Sequence, residues 1–568
     1  MRLLEKMCFV VLASGLALGQ TTATNSGSAG SGSVADELKA LREAISEQQK
    51  QIAQQQQQIT QQQQNIAQQQ QQIQSLEQKL QGTASVTPRV ADAALHTAIP
   101  ASATTAVQET EKPKESPLSF RIGNADFTPG GFVDFENVFR TTNTGNVTAT
   151  SFWAIPFNTT AAGHLTEYRS TGQYSRFNLK TTTKFKGTDV TGYVEADFNG
   201  NDAGNVFITS NGHTLRMRVY WVDLKPGKWE FLGGSTWGLQ TPNRTGISPA
   251  PADLSLTLGE DAQTHVGINY TRAAEFRVGY HFSKEFVWAV AVQNPQQYIG
   301  QGNEVIFPAA FSAVLGPQFD NAATPGAPNA APDFITKFAY DSGFSGHKFH
   351  LELGGLTTSA RVAVQPTVAG AGFSKHSMFG AGGFGAFNLE LIKNFRILAQ
   401  GMWGPGVGRY IIAMGPQAVA VPVAASGSAG CASGVTGGCD VSLSPVHAGD
   451  ALVGVETQMG KSQFGFYYGG AYFQRNTFQD LSAAGAVKPF IGFGNFGTTA
   501  AIAGIMNRAI QEGTIDWTQT FWRNPQYGAV LLVTQGSYVT RSPWLTVAPN
   551  PKNAHLTMGY VSLRYVLP

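Results

Sequence analysis

Six basic residues stand at positions where their charge could do chemistry. Arg176 and Lys180 lie in the stretch Ser175 to Lys180, and Arg216 and Arg218 in Leu215 to Trp221. Arg409 sits in a Gly-Arg-Tyr segment, and Arg564 lies near the end of the chain. In the first two stretches, polar residues alternate with Phe177 and Leu179, and with Leu215, Met217, Val219 and Trp221. Arg564 is flanked by Leu563 and Tyr565. A period of two puts successive side chains on opposite faces of a strand. Tyr193, Glu195 and Asp197 share such a polar face, opposite Val194, Ala196 and Phe198. The chemistry on offer is electrostatic: a charged lining that sorts ions by sign and needs no catalytic group. An equally open reading is that these arginines pair with Asp134, Glu136, Glu195 and Asp197 across the wall. Residues 117–568 carry 30 Lys and Arg against 27 Asp and Glu, so any anion preference must come from local placement.

Other motifs offer less. Gly380-Ala381-Gly382-Gly383-Phe384-Gly385 fits the spacing of a dinucleotide-binding loop, but lacks the buried strand before it and the amphipathic helix after it. Gly460-Lys461-Ser462 matches the end of a phosphate-binding loop, but the upstream Gly454 is one residue too far away. The first reads as part of a strand or turn, the second as a strand-to-turn segment. His347 and His350 fall on opposite faces of a strand, which disfavours a shared metal. Neither a His-Glu-x-x-His nor a Gly-x-Ser-x-Gly sequence occurs. No enzyme activity, cofactor or metal is expected. Cys431 and Cys439, eight apart in a stretch rich in Ala, Gly and Ser, are expected to form a disulfide that staples an exposed loop.

These side chains need a scaffold, and composition limits it. Charged residues make up 13% of the chain, against roughly 25% in soluble domains. Glycine is abundant, at 64 of 568, and aromatic residues reach 11%. A net charge of +2 gives no reason to expect nucleic acid as a partner. After the N-terminal stretch no apolar run approaches the roughly 20 residues of a spanning helix. Low charge, much glycine and repeated two-residue alternation suit a membrane barrel of antiparallel strands. At about 9–11 residues per strand plus turns and loops, residues 117–568 make about 16 strands, with about 14 or 18 also open. Long loops are expected near 301–330, 357–376, 416–448 and 481–512, and a helix-like stretch at 500–512.

The N-terminal part reads differently. Residues 1–19 have a basic start, an apolar stretch and small residues before Gln20, as an export signal does. Residues 20–34 and 82–116 read as linkers. Between them, residues 35–81 place Leu38, Ile45, Ile52, Ile59, Ile66, Ile73 and Leu80 at strict seven-residue spacing within glutamine-rich sequence. That period makes helices supercoil together, so an oligomer is expected. As a helix the segment would be roughly 70 Å long, a stalk outside the membrane.

The chain resembles the DcaP-like trimeric outer-membrane porins. The resemblance rests on Leu215-Arg216-Met217-Arg218-Val219-Tyr220-Trp221-Val222-Asp223-Leu224, Gly234-Ser235-Thr236-Trp237, Pro332-Asp333-Phe334 and Gly404-Pro405-Gly406-Val407-Gly408-Arg409-Tyr410-Ile411. It implies an all-β barrel of 16 strands with an N-terminal coiled coil in the periplasm. It also implies a homotrimer in the lipid of an outer membrane, and a positively lined channel for small anions such as dicarboxylates. The rivals are a barrel that only anchors a structural tether, and a trimeric adhesin. An adhesin's barrel is shared between chains, whereas residues 117–568 are long enough to close within one.

Overall fold

The structure is a computed structural model that describes residues 116–568 apart from 146–148, 201–212, 250–264, 301–303, 322–325, 330, 345–346, 412–414, 432–436 and 495–503. The expected signal, linkers and coiled coil, with Leu38 to Leu80, lie outside the described residues.

Sixteen antiparallel strands form one closed barrel. They are β1 (Ala125–Arg140), β2 (Glu167–Thr171 continued by Arg176–Phe185), β3 (Thr188–Asp197), β4 (Arg216–Lys225), β5 (Trp229–Trp237), β6 (Arg272–His281), β7 (Phe286–Gln293) and β8 (Asp333–Phe344). There follow β9 (His347–Val364), β10 (Ser374–Ile392), β11 (Phe395–Pro405), β12 (His447–Met459), β13 (Ser462–Phe473), β14 (Asn507–Asn524), β15 (Gly528–Pro543) and β16 (Ala554–Val566). Each pairs with the next, and β16 closes on β1 from Phe132↔Val566 to Arg140↔Met558. Closure leaves no unpaired edge, which a wall in hydrocarbon requires.

The connections sort into two kinds. One rim carries short turns, such as 186–187, 393–394 and 460–461. There Lys186 (φ 47°) and Asn394 (φ 66°) adopt the left-handed conformation that tight hairpin turns demand. The other rim carries the long loops 141–166, 198–215, 238–271, 294–332, 406–446 and 474–506, with the shorter 365–373 and 544–553. Ser116 hydrogen-bonds the carbonyl of Pro568, so the described chain starts and ends beside the β1/β16 seam.

The two faces of the wall follow the alternation. Phe135, Phe177, Met217, Phe276, Leu353, Tyr468 and Leu563 are exposed on the outside. A continuous apolar outer face suits lipid and would be a liability in water. Arg564 points inward between the exposed Leu563 and Tyr565, as their alternation predicts. Inward residues of β7–β10, including Val287, Ala289, Ile335, Leu356, Ala360 and Met378, are buried under residues of the long loops. Leu239, Ile247, Leu315, Tyr410, Val419 and Val441 join them in one apolar core, where each large side chain contributes about 2 kcal/mol.

Several expectations need correction. Residues 504–512 contain no helix: β14 begins at Asn507 and pairs with β13 and β15, so strand pairing overrides the helix-like composition. The expected loop 357–376 shrinks to 365–373. β9 runs on to Val364, where Gln318 bonds both backbone groups of Ala363 as a neighbouring strand would. Loop 406–446 holds its own hairpin, Ala418–Ala424 paired with Cys439–Pro445. In β4 the alternation fails midway. A bulge opposite Glu195 and Ala196 turns both Arg218 and Val219 inward, sends Tyr220 out and buries Trp221.

Candidate functional site

The inner wall mixes apolar and charged residues. β7–β10 carry apolar residues under the loops together with the buried Lys337, His350, Glu352 and Glu390, and β16 and β1–β6 carry a second set of charges beside the apolar Val138, Leu556, Met558 and Tyr560. Arg176, Glu195 and Asp197 face inward from β2 and β3, and Arg216 and Arg218 from β4. Asp134 and Arg564 face inward from β1 and β16. Register brings them level: Arg176 pairs with Asp197, which pairs with Arg216, while Asp134 pairs with Arg564.

These groups neutralise one another closely. Arg216 Nε and Nη2 donate to the two oxygens of Asp197 at 3.0 and 2.7 Å. Arg218 bridges Glu195 at 2.8 Å and Asp197 at 2.6 Å. Arg564 grips one oxygen of Asp134 at 3.0 and 2.6 Å, and Ser562 donates to the other. Arg176 lies 3.8 Å from Glu195. Both Arg176 and Arg564 stack over the ring of Phe132. Tyr193 donates to Glu195 and stacks on Trp221. The reading in which the arginines pair across the wall therefore describes Arg176, Arg216, Arg218 and Arg564. Lys180 shares the inward face of β2 and is exposed.

Arg409 keeps different company. It sits in a short turn after β11, and its guanidinium donates to Asp333 at 2.6 Å and to Tyr410 and the carbonyl of Asn294. Burial opposes its charge, but contact with Tyr410 and Asp333 outweighs that and holds its pKa above the usual arginine value. This arginine ties a loop to the start of β8.

The described parts of loop 238–271, residues 238–249 and 265–271, fold inward and bond the wall on the other side. Arg244 makes two bonds to Glu456 of β12, at 3.0 and 2.9 Å. The backbone amides of Asn243 and Gly246 donate to Glu352 of β9 and Asp341 of β8. Lys337 of β8 donates to the carbonyl of Thr241 and pairs with Glu352 at 3.1 Å. Farther along, Val266 N donates to Glu512 of β14, and Gln400 of β11 donates to the carbonyl of Gly267. Gly469 of β13 makes room: a Cβ there would stand 1.8 Å from the carbonyl oxygen of Val266. The described parts of the loop are thus strapped to β8–β14 and also meet the other side of the wall, where Glu275 of β6 accepts from Leu239 N, Arg277 of β6 donates to the carbonyl of Ile247, and Tyr270 packs on Trp237 of β5. Such a loop narrows a lumen, and the facing wall sets its charge.

Sequence reasoning missed the strap, because Arg244 lies in a loop without periodicity. It also missed Arg272, the first residue of β6, where alternation has not yet begun to speak.

With this geometry in view, comparison with solved structures is decisive for the fold. The outer membrane channel DcaP of Acinetobacter baumannii aligns over 78% of this chain and 98% of its own, at 13% identity and a TM-score of 0.52. The chain has the fold of the DcaP channel. OmpF of Salmonella typhi, in complex with daunomycin, aligns at 12% identity over 79% of this chain and all of its own, but at a TM-score of 0.40. Pseudomonas putida OprB reaches 9% identity over 77% of this chain and 94% of its own, with a TM-score of 0.39. The latter two scores are too low to add to the argument. No family model matches the chain, and no curated protein matches it.

On this DcaP fold, one cluster at the loop rim invites a hydrolytic reading and fails it. Ser374, His376 and Asp440 stand together, but the same nitrogen, His376 Nε2, meets both Ser374 (3.0 Å) and Asp440 (2.9 Å). A proton relay needs the two ring nitrogens divided between nucleophile and carboxylate. The cluster instead ties β10 to the hairpin of loop 406–446. His350 points inward between Asp341 and Glu352, a structural bridge, while His347 lies on the other face. Cys431 and Cys439 form a disulfide, both sulfurs wholly buried, at the tip of the same hairpin.

Proposed function

We propose that the chain is an outer-membrane channel through which small hydrophilic solutes diffuse, with a preference for anions. The observation that carries this reading is a closed barrel with a loop held inside it: loop 238–271 is tied to Glu456 and Glu512 on one side and to Glu275 and Arg277 on the other, and the wall of β16 and β1–β6 is lined by arginines and carboxylates. In that sector Arg176, Arg216, Arg218, Arg272 and Arg564 meet Asp134, Glu136, Glu195 and Asp197, and the same strands bury Arg140 and Arg277 with Glu167, Asp223, Glu230 and Glu275, so the preference rests on the placement of single arginines and not on net charge.

In this reading residues 1–19 are removed on export. Residues 35–81 join three chains through Leu38, Ile45, Ile52, Ile59, Ile66, Ile73 and Leu80. The start of the described chain at the short-turn rim supports a periplasmic stalk, since short turns face the periplasm in outer-membrane barrels. Linkers 20–34 and 82–116 flank the stalk, and residues 117–568 form the barrel.

The test is single-channel current of the refolded protein in a planar bilayer under a potassium chloride gradient. Openings in steps of three with an anion-biased reversal potential support the proposal. A second reading, a barrel that only anchors its stalk, is favoured by the apolar core that the loops build inside the wall. Stable insertion without current would select it.

A further inference from the structure

Every carboxylate of the charged sector with a described ion pair is already engaged. Asp197 takes both Arg216 and Arg218, and Glu195 takes Arg218, Arg176 and the hydroxyl of Tyr193. Asp134 takes Arg564, and Glu275 takes Arg277 with Thr236 and Gln293. Arg272 is left over. Its ionisable neighbours are Arg218, Tyr270, Arg216 and Asp197, yet among the described residues it forms no ion pair and donates no hydrogen bond. The ring of Trp237 lies 5.6 Å from its guanidinium carbon.

Three further facts point the same way. Arg272 is partly exposed rather than sealed in. The indole nitrogen of Trp237 is buried with no hydrogen-bond partner among the described residues, an unmet donor beside an unmet cation. Arg216, with 34% of its side chain exposed, commits Nε and Nη2 to Asp197, and its Nη1 makes no hydrogen bond among the described residues. Buried donors ordinarily find acceptors, and an unmet set that includes a guanidinium calls for an anion.

We propose that Arg272, with the Trp237 indole beside it and Arg216 at its edge, forms a subsite in the lumen for a carboxylate group. Solute anions pause there on their way through. The planar fork of a guanidinium fits two carboxylate oxygens, whereas chloride takes only its charge. The subsite rests on the channel reading, and it moves the selective cation from the paired arginines to Arg272.

The full chain, refolded in planar bilayers, tests it with two probes, chloride and acetate, against potassium. Arg272→Gln is expected to lower both anion-to-potassium permeability ratios about threefold, the scale of one unit charge acting across a few ångströms of water. Arg272→Lys keeps the charge and loses the fork. It should hold the chloride ratio and lower acetate relative to chloride. Unchanged ratios in Arg272→Gln channels overturn the proposal while leaving the channel reading intact. An unchanged acetate-to-chloride ratio in Arg272→Lys overturns the carboxylate subsite. A wild-type protein that inserts without current removes the channel reading itself. Arg272→Lys also guards against a folding artefact, since it retains the cation over Trp237.

Discussion

Arg218 Nη1 stands 2.6 Å from Asp197 Oδ2 while its Nε stands 2.8 Å from Glu195, and all three side chains are buried. One guanidinium therefore holds two carboxylates from the neighbouring strand. Removing it leaves two buried charges short of a partner, which costs about 3–5 kcal/mol. Arg218→Ala should lower the urea midpoint of unfolding accordingly, and Arg218→Ala with Glu195→Gln should recover part of the loss. A single variant as stable as the wild type would show that water in the lumen already screens the trio. Arg216→Ala combined with Arg218→Ala should also lower anion over cation permeability, because Asp197 then faces the lumen with neither arginine.

The strap of loop 238–271 depends on a missing side chain. Gly469 lies on the inner face of β13, and any Cβ there would press on the carbonyl of Val266. Gly469→Val should push the loop away from the wall into the lumen and lower the single-channel conductance. Gly536, with nothing within 4 Å of its Cβ position, is the control. Gly536→Val should conduct like the wild type. Equal conductance in both variants would place the ion path away from this segment of the loop.

Arg244 anchors the same loop from its other side, through two bonds to Glu456. Arg244→Ala releases that anchor, and this flank keeps its amide bonds to Glu352 and Asp341 and the bonds that Lys337 and Arg277 donate to the carbonyls of Thr241 and Ile247. Open-channel noise should rise and brief closures become more frequent. Glu456→Gln should have the same sign and a smaller size, because a neutral acceptor remains. Quiet traces in both would mean that the backbone bonds alone fix the loop.

Much of the wall was legible in the sequence because a strand between lipid and lumen must alternate. Phe177 out and Arg176 in, or Leu563 out and Arg564 in, follow from that constraint alone. Where alternation breaks, reading stops. The bulge in β4 sends Tyr220 outward and Trp221 inward, and nothing in Leu215 to Leu224 marks the extra residue. The pairing of Arg218 with Asp197 was open because register between strands comes from the turns and loops rather than from either strand. Loop 238–271 was invisible for a different reason: its contacts reach strands more than 200 residues away, as Arg244 reaches Glu456. Arg272 was hidden because a single arginine at a strand's first residue carries no period.

The Cys431–Cys439 disulfide closes a short loop at the tip of the hairpin, with both residues fully buried. In the chain-entropy view a loop of this size contributes about 2.5 kcal/mol. In protein lacking residues 1–19, and with them Cys8, alkylation should add nothing to the native or the denatured oxidised chain, and two groups only after reduction and denaturation. Replacing both cysteines by serine should speed proteolysis of loop 406–446 and leave the barrel strands protected. Two groups added to the denatured, unreduced chain would sink the disulfide.

Glu304 sits in loop 294–332, wholly buried, and neither carboxyl oxygen has a hydrogen-bond partner among the described residues. Burial pushes its pKa well above the ordinary 4.5, and the attraction of Arg541 only partly opposes this. The folded loop thus keeps a proton that the unfolded loop releases near pH 4.5. The folded state binds more protons between those two values, so stability is full below about 4.5 and falls as pH rises toward the folded pKa. The slope is at most about 1.4 kcal/mol per pH unit for one proton. Hydrogen exchange of residues 304–321 should therefore be slower at pH 5 than at pH 8, after correction for the intrinsic rate. Glu304→Gln carries a neutral side chain at both values and should flatten that difference, with a gain in protection at pH 8. Parallel profiles for the two proteins would mean that Glu304 is ionised in place, with Arg541 as its counter-charge.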